Sequence, residues 1–498
     1  MRRMVTLLML IAATGAVAQD RFEQIERRNP WNGSINGAGL RQDTVSRSYA
    51  EAYFTKENGG LASPSSSDNS WNAGVRTESI RHLQRISFAG GFNYDYFDGR
   101  NMCGSMFTVP GYYPVDIVEF TPGRKVRESY NFRAALSAEL GRGWLAGIHT
   151  TFEARNYAKR KDLRHKNTRL DFEFSPGVMY RTGRFAAGVA YIVGIDNEKL
   201  EAEEIGSTPE SYQAFFDRGL RYGSLQLWES NDLHLTTSGV TGFPVRETTQ
   251  GAGLQLQYGP LYVEGTYRNL QGRTGEGGTI WHEFATHRVT ADGVLTLGEA
   301  VSRHRLHVGM VWESLDNREN IITYETVNGV STPHLHGSTP IFGRKSLELH
   351  GEYAWKTARM DWRTGVDFTE LNRESTLMYP EVRGQRMHWT TVWSRWLYRL
   401  GAWEMILGAD FRQGGFSEWE STDEVPAQPG EYPVRLTDFY NEENEYLTAA
   451  RLGAEAGVRR NIRRFYVDLT ARYEHGFDLE YVAQANRVGA TLRVGYNF

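Results

Sequence analysis

From residue 45 onward the chain alternates. Apolar side chains take every second position and polar or charged ones fill the gaps, the period a strand needs when its two faces meet different solvents. The last segment is the clearest. Val488, Ala490, Leu492, Val494, Tyr496 and Phe498 share one face, opposed by Arg487, Gly489, Thr491, Arg493, Gly495 and Asn497. Before it, Phe465, Val467, Leu469, Ala471 and Tyr473 oppose Asp468, Thr470, Arg472 and Glu474. The pattern recurs at Trp403–Phe411, Met360–Phe368, Leu306–Trp312 and Tyr130–Leu136. A soluble sandwich also alternates, but its polar face is less regularly ionic and its apolar face lacks aromatics at the strand ends. The pattern predicts an all-β fold, a transmembrane antiparallel up-and-down β-barrel.

Connection lengths test that expectation independently. Short connections are expected at Arg81–Arg85, Gly141–Gly143, Arg181–Arg184, Tyr258–Pro260, Lys356–Arg359, Leu397–Ala402 and Arg459–Arg463. Longer ones fall at 56–70, 98–126, 196–248, 315–344, 372–384 and 414–445. Short and long interleave, as periplasmic turns and outer loops do in an outer-membrane barrel, and the count is about 18 strands with about 16 the competing number. The stretch 279–302 is the weakest strand assignment, because Trp281–Thr290 does not alternate cleanly. Charge sorts the same way. The loop 414–445 is strongly acidic with only Arg435 opposing, whereas the short turns carry Arg459, Arg460, Arg463 and Arg464. This is the expected look of two solvated rims.

Composition narrows the class. The chain has 498 residues, with 26 Tyr, 24 Phe, 13 Trp and 52 Gly but only 15 Pro and one Cys. After residue 20 no apolar run approaches the ~18 residues of a spanning helix, which excludes a helical membrane protein. The first residues read as an export signal: Arg2 and Arg3, an apolar stretch Met4–Ala13, then the small residues Ala16-Val17-Ala18. Residues 1–18 are therefore expected to be a signal peptide cleaved after Ala18, 19–44 an N-terminal segment in the periplasm or inserted in the lumen, and 45–498 the barrel. No Cys lies in the leader, which excludes lipoprotein processing, and Cys103 has no partner for an internal disulfide. Removing Arg2 and Arg3 takes the formal charge from −4 to −6. That balance gives no support for nucleic-acid binding.

Individual motifs carry less. Tyr496 and Phe498 end an amphipathic terminal strand, the form of signal read by the barrel assembly machinery. Asn29-Pro30-Trp31 and Gly37-Ala38-Gly39-Leu40 lie ahead of the first strand, in a segment too short for the globular plug of an energised receptor. The loop 98–126 holds Met102-Cys103-Gly104-Ser105 and Pro110-Gly111-Tyr112-Tyr113-Pro114, a folded loop that either constricts the pore or caps it. Thr208-Pro209 reads as a helix start for a stretch running to Leu220. His304 and His307 lie near His287, and His334 and His336 form a His-x-His in a loop. No carboxylate or Cys set matches either group, so neither a metal site nor a cofactor is expected. No Gly-x-Ser-x-Gly or other hydrolytic constellation is present, and no enzyme activity is expected.

The stretch Asn29–Gly60 resembles an uncharacterised Bacteroidota-type family of outer-membrane barrels. The resemblance rests on Asn29-Pro30-Trp31, Gly37-Ala38-Gly39-Leu40, Ala50-Glu51-Ala52-Tyr53-Phe54 and Glu57-Asn58-Gly59, with Met102–Pro114 and Arg218–Trp228 in support. It implies the same fold over the whole mature chain and brings no substrate. Asn36-Gly37-Ala38-Gly39 is more loosely similar to an element near the start of the long-chain fatty-acid transporters, without licensing any lipid-binding residue. The expected function is a passive channel or transporter for small solutes, not TonB-dependent, in the outer membrane of a Gram-negative bacterium. The alternatives are a closed barrel that binds or scaffolds an outer-membrane complex partner, and a barrel-embedded enzyme. Membrane lipid and the assembly machinery are the other expected partners.

Overall fold

A computed structural model describes residues 27–161, 163–203, 212–228, 243–276, 279–298, 302–327, 330–376, 382–420 and 436–498. The leader and its cleavage point at Ala18 lie outside them. In chain order the strands are β1 (Arg47–Asn58), β2 (Asn69–His82), β3 (Ile86–Ser105), β4 (Asp116–Gly141), β5 (Trp144–Lys159), β6 (Arg164–Thr182) and β7 (Phe185–Glu203). A short hairpin follows, β8 (Tyr212–Asp217) and β9 (Gly223–Trp228), then β10 (Phe243–Tyr258), β11 (Leu261–Glu276), β12 (Thr279–Gly298) and β13 (Ser302–Val327). The series ends with β14 (Val330–Thr357), β15 (Met360–Thr376), β16 (Val382–Leu400), β17 (Trp403–Glu420), β18 (Arg451–Ile462), β19 (Phe465–Gly476) and β20 (Asn486–Asn497). Among the described residues an α-helix, α1 (Leu436–Thr448), lies between β17 and β18.

Every strand pairs antiparallel with its neighbour in sequence, except that β7 pairs with β10 across the inserted β8–β9 hairpin. β20 then pairs with β1 from Tyr49↔Asn497 to Asn58↔Val488, which closes an 18-stranded barrel. Closure satisfies every strand edge inside the membrane, where an unpaired backbone amide has no water to turn to. The outer wall is apolar as the alternation requires: Leu254, Leu306, Val308, Leu407, Leu469 and Leu492 all stand exposed. Trp144, Phe185, Tyr258, Tyr398, Trp403, Phe465 and Phe498 ring the short-turn end, the position of an interfacial aromatic girdle. Turns there are tight. At Gly141-Arg142-Gly143 a Cβ on Gly143, whose φ is +86°, would sit 2.4 Å from the Arg181 carbonyl oxygen.

At the other end the strands outrun the expectation. The stretch expected as loop 98–126 shrinks to 106–115, because β3 and β4 continue as a ribbon with register shifts at Gly99/Met102 and Met102/Gly104. The expected loop 315–344 is a hairpin paired to Val327↔Val330. His334 and His336 therefore lie on β14, not in a loop. The helix expected from Thr208 is absent where it is described: Tyr212–Asp217 is a strand whose residues Ala214–Asp217 pair with Asp116–Glu119 of β4. In each case ladder hydrogen bonds persist above the membrane, where no lipid face imposes period two. Within the doubtful 279–302 region, Thr279–Gly298 form the single strand β12. Its upper half fails to alternate because inward Phe284 is buried against an apolar cluster rather than facing water.

Candidate functional site

The lumen is occupied at both ends by the chain itself. At the short-turn end, residues 27–43 run along the inner wall. Asn29 caps a 3-10 turn at Pro30–Gly33, its side chain accepting from the Trp31 amide at 3.1 Å. Trp31 is 1% exposed, meets Tyr262 edge-on at 5.1 Å, and donates its indole N–H to Gln257 at 2.6 Å. Asn36 caps the next 3-10 turn, Gly37–Gln42, and its amide nitrogen reaches the carbonyls of Val178 (3.1 Å) and Val189 (3.3 Å) and the side chain of Gln255 (3.0 Å). Ser137 donates to the Ala38 carbonyl at 2.7 Å. Backbone meets backbone here. A Cβ on Gly37 would lie 2.0 Å from the Ile148 oxygen, and one on Gly147 2.1 Å from the Ala38 nitrogen. Arg27 at one end pairs with Glu352 at 2.8 Å, and Arg41 at the other donates to the carbonyls of Leu83 and Gln84. The two motifs ahead of the first strand thus form a strip seated in a glycine-lined groove.

At the long-loop end, residues 106–115 turn into the lumen. Met106, Phe107 and Tyr113 bury against Leu200, Phe216, Phe243 and Phe284. Thr108 donates its amide (2.9 Å) and hydroxyl (3.0 Å) to Glu198. Tyr112 donates to Glu247 at 3.1 Å under the Arg169 guanidinium, and Arg344 on the facing wall donates to the Tyr112 carbonyl at 3.1 Å. The loop turns inward and is packed there as part of a cap, so each of the two expected alternatives describes one aspect of it. Helix α1 completes the roof. Arg412 and Arg451 donate to its last carbonyls, Leu447 and Tyr446, each at 2.6 Å, where cations also offset the helix dipole. The hairpin β8–β9 docks beside it, with Asp217 opposite Asp116. Burial pushes the Asp116 carboxyl up to about 8, assisted by Asp217, and pushes Asp217 up to about 6. Both lie above the membrane-spanning part of the wall.

Between floor and roof lies a polar chamber. One cavity of about 690 Å³ is lined by Glu51, Arg76, Glu78, Arg133, Glu153, Asp171 and Arg493 among others. A second of about 440 Å³, lined by Glu173, Asp196, Glu247, Arg268, Arg288 and Glu313, shares Asp171 with it. Both charge signs are present, paired along the wall: Arg133–Glu78 at 2.5 Å, Arg268–Glu173 at 2.9 Å, Arg395–Glu455 at 2.8 Å and Arg472–Asp410 at 2.9 Å. Such half-solvated pairs contribute about 0–1 kcal/mol each; their main effect is to keep the wall wet and of mixed sign.

Of the residues singled out in sequence, Tyr496 and Phe498 face outward at the short-turn rim. Phe498 donates its amide to the Ser48 carbonyl at 2.9 Å, and Tyr496 packs on Phe465 at 4.7 Å. Cys103 is buried and carries no disulfide. The chamber-lining residues were legible only as inward strand positions, since nothing local marks which of them meet.

Fold and lumen together define a closed outer-membrane-type barrel of 18 strands with internal segments at both ends. By sequence, residues 37–498 match a family of unknown function, DUF6850, and the chain belongs to that family. No curated protein matches it in sequence. Among solved structures it is similar to CdiB from Acinetobacter baumannii, at 8% identity and a TM-score of 0.39. That alignment covers 91% of this chain and 61% of CdiB, so the chain spans less than two thirds of CdiB's length. It is also similar to FpvA of P. aeruginosa, at 6% identity and TM-score 0.41 over 91% of this chain and 72% of FpvA. The siderophore receptor PirA from Acinetobacter baumannii gives 8%, 0.41, 92% and 81% respectively. At such values these similarities carry nothing about what the lumen binds or passes.

Proposed function

We propose that the protein is a passive channel for small polar solutes in the outer membrane of a Gram-negative bacterium, closed in the described state by its own floor strip and roof loop. The observation that carries this reading is the mixed-charge chamber between two inward segments. An 18-stranded wall is wide enough to enclose water. The lining of carboxylates and guanidinium groups supports polar solutes over fatty acids, and its balance of signs supports weak ion selectivity. A passive mechanism is supported by the floor's form: residues 27–43 hug the wall as a strip held to it by Trp31 and Asn36. No chemical step is part of the proposal.

Single-channel recording of the purified barrel in planar bilayers tests it. The expected record is brief openings in the wild type and long openings when Trp31→Ala frees the floor. A correctly folded barrel that stays silent in both forms would overturn the channel and favour the surface-binding reading, for which the packed roof of α1, β8–β9 and residues 106–115 is the supporting feature.

A further inference from the structure

Five consecutive strands present one row of side chains to the lumen: Asp292 on β12, His307 on β13, His350 on β14, Asp367 on β15 and Trp393 on β16. Strand parity places them inside, since the neighbours Leu306, Val308, Leu349, Val366 and Val392 are exposed on the outer wall and Asp292 is in register with Gly309, on the same face as His307. His307 Nε2 lies 3.0 Å from Asp292 Oδ1, and His350 Nδ1 lies 2.5 Å from Asp367 Oδ1. The second oxygen of Asp367 accepts the Trp393 indole N–H at 2.8 Å, and that indole stacks on His350 with centroids 6.4 Å apart. The two imidazoles are 5.1 Å apart at 59°. Gly309 lies beneath them. A Cβ there would come within 3.2 Å of Asp292 Oδ1 and 3.6 Å of the His350 Cβ, so the glycine keeps the space open.

An ionised carboxylate only accepts. The ring nitrogen facing it therefore carries the hydrogen, and in a neutral imidazole the other nitrogen is a lone pair. The lone-pair nitrogens are then Nδ1 of His307 and Nε2 of His350. A histidine whose N–H is held by a carboxylate is the arrangement in which metal-binding imidazoles are oriented and made more basic. Metal–nitrogen bonds of about 2.0–2.1 Å at a tetrahedral angle set two imidazole centroids about 5 Å apart on one ion. The observed separation matches.

We propose that His307 and His350 form a two-imidazole site in the lumen for a borderline divalent transition-metal cation such as Zn²⁺ or Ni²⁺, oriented by Asp292 and Asp367. Imidazole donors select such ions over Mg²⁺ and Ca²⁺. No three His, Cys, Asp or Glu groups among the described residues are placed to hold an ion together. The remaining positions therefore fall to water, or to a ligand arriving with the metal, and the ion is exchangeable rather than structural. The other histidines noted in the sequence fall elsewhere. His304 bonds to Tyr353 and stacks on Trp355, His287 bonds to Tyr267, and His334 and His336 bond to Glu325 and Thr323 on the outer ribbon. His350, on the strand next to His307, is the partner that local spacing does not reveal.

Calorimetric titration of Zn²⁺ into the purified, tag-free barrel in detergent is the test. It reads binding without transport, so its result is independent of the channel reading. One site per barrel is expected, weakened at least about 10-fold by His307→Ala and by His350→Ala, and about 10–100-fold by the isosteric Asp292→Asn and Asp367→Asn. The double variant His334→Ala/His336→Ala should bind as the wild type does. Absence of Zn²⁺ binding by the wild type overturns the proposal. So does unchanged binding by the lumen variants, or loss of binding in the ribbon double variant. Should the alanine variants fail to fold, as read by heat-modifiable migration, the two asparagine variants decide alone.

Discussion

At the scale of single residues, the floor depends on a few groups that do several things at once. The amide nitrogen of Asn36 meets two wall carbonyls and Gln255, and Trp31 fills an apolar seat beside Tyr262. Trp31→Ala removes that seat, a loss of about 3–5 kcal/mol for a buried aromatic. The expected outcome is rapid amide exchange over residues 30–42 with the barrel's melting temperature unchanged; continued protection of the strip would refute the anchor. The roof carries a titration of its own. Asp116 and Asp217 lie opposite one another, with folded pKa values raised mainly by burial to about 8 and about 6. Both stand above the unfolded value of about 3.9. Docking therefore favours the protonated carboxyls, and their contribution is complete below about pH 4 and lost as pH rises through about 6 and then about 8. Tryptic cleavage at Arg218 and Arg221, normalised to a peptide substrate, should speed up between pH 6.5 and 9, and Asp116→Asn should flatten that rise. A rise of the same size in the variant would show that the carboxyl does not hold the hairpin.

At the scale of elements, the same strand serves two environments. Below, each is a lipid-facing stave; above, β13 and β14 continue as a two-stranded ribbon whose edges pair with no other strand among the described residues, since β12 pairs with β13 only up to Glu319 and β15 with β14 only up to Phe342. Pro333 and Pro340 interrupt the donors along β14, which discourages another chain from adding to that edge. The closing strand β20 makes a different demand. Phe498 is 63% exposed and its backbone bond to Ser48 survives truncation of the side chain. Phe498→Ala should therefore lower the yield of assembled barrel several-fold while leaving the thermal stability of what does assemble almost unchanged. Normal amounts of heat-modifiable barrel from this variant would remove the terminal aromatic from any role in assembly.

At the scale of the whole molecule, an even strand number puts both barrel ends at one rim. If that rim is periplasmic, the roof faces the outside. Epitope tags at Asp423 and Ser207, which lie outside the described residues, should label on intact cells, and a tag in the Arg463–Arg464 turn only after the outer membrane is opened. Labelling in the reverse pattern would turn the roof into the periplasmic end and change which solutes meet it first. The wall of this barrel could be read from sequence because lipid outside and water inside impose period two on every strand separately; the short turns, the closing segment and the strand count follow from that local rule. The filling of the lumen could not. Trp31 meets Gln257 across 226 positions and Asn36 meets Gln255 across 219. His307 and His350 become neighbours only through the register of β13 on β14. Above the membrane the one-sided solvent disappears and with it the period, so the ribbon and the inward roof loop came only from tertiary packing. Sequence by itself determined the wall and its closure; which inward side chains meet, and what they enclose, was decided by how eighteen staves are staggered against one another, because that stagger sets contacts no local period encodes.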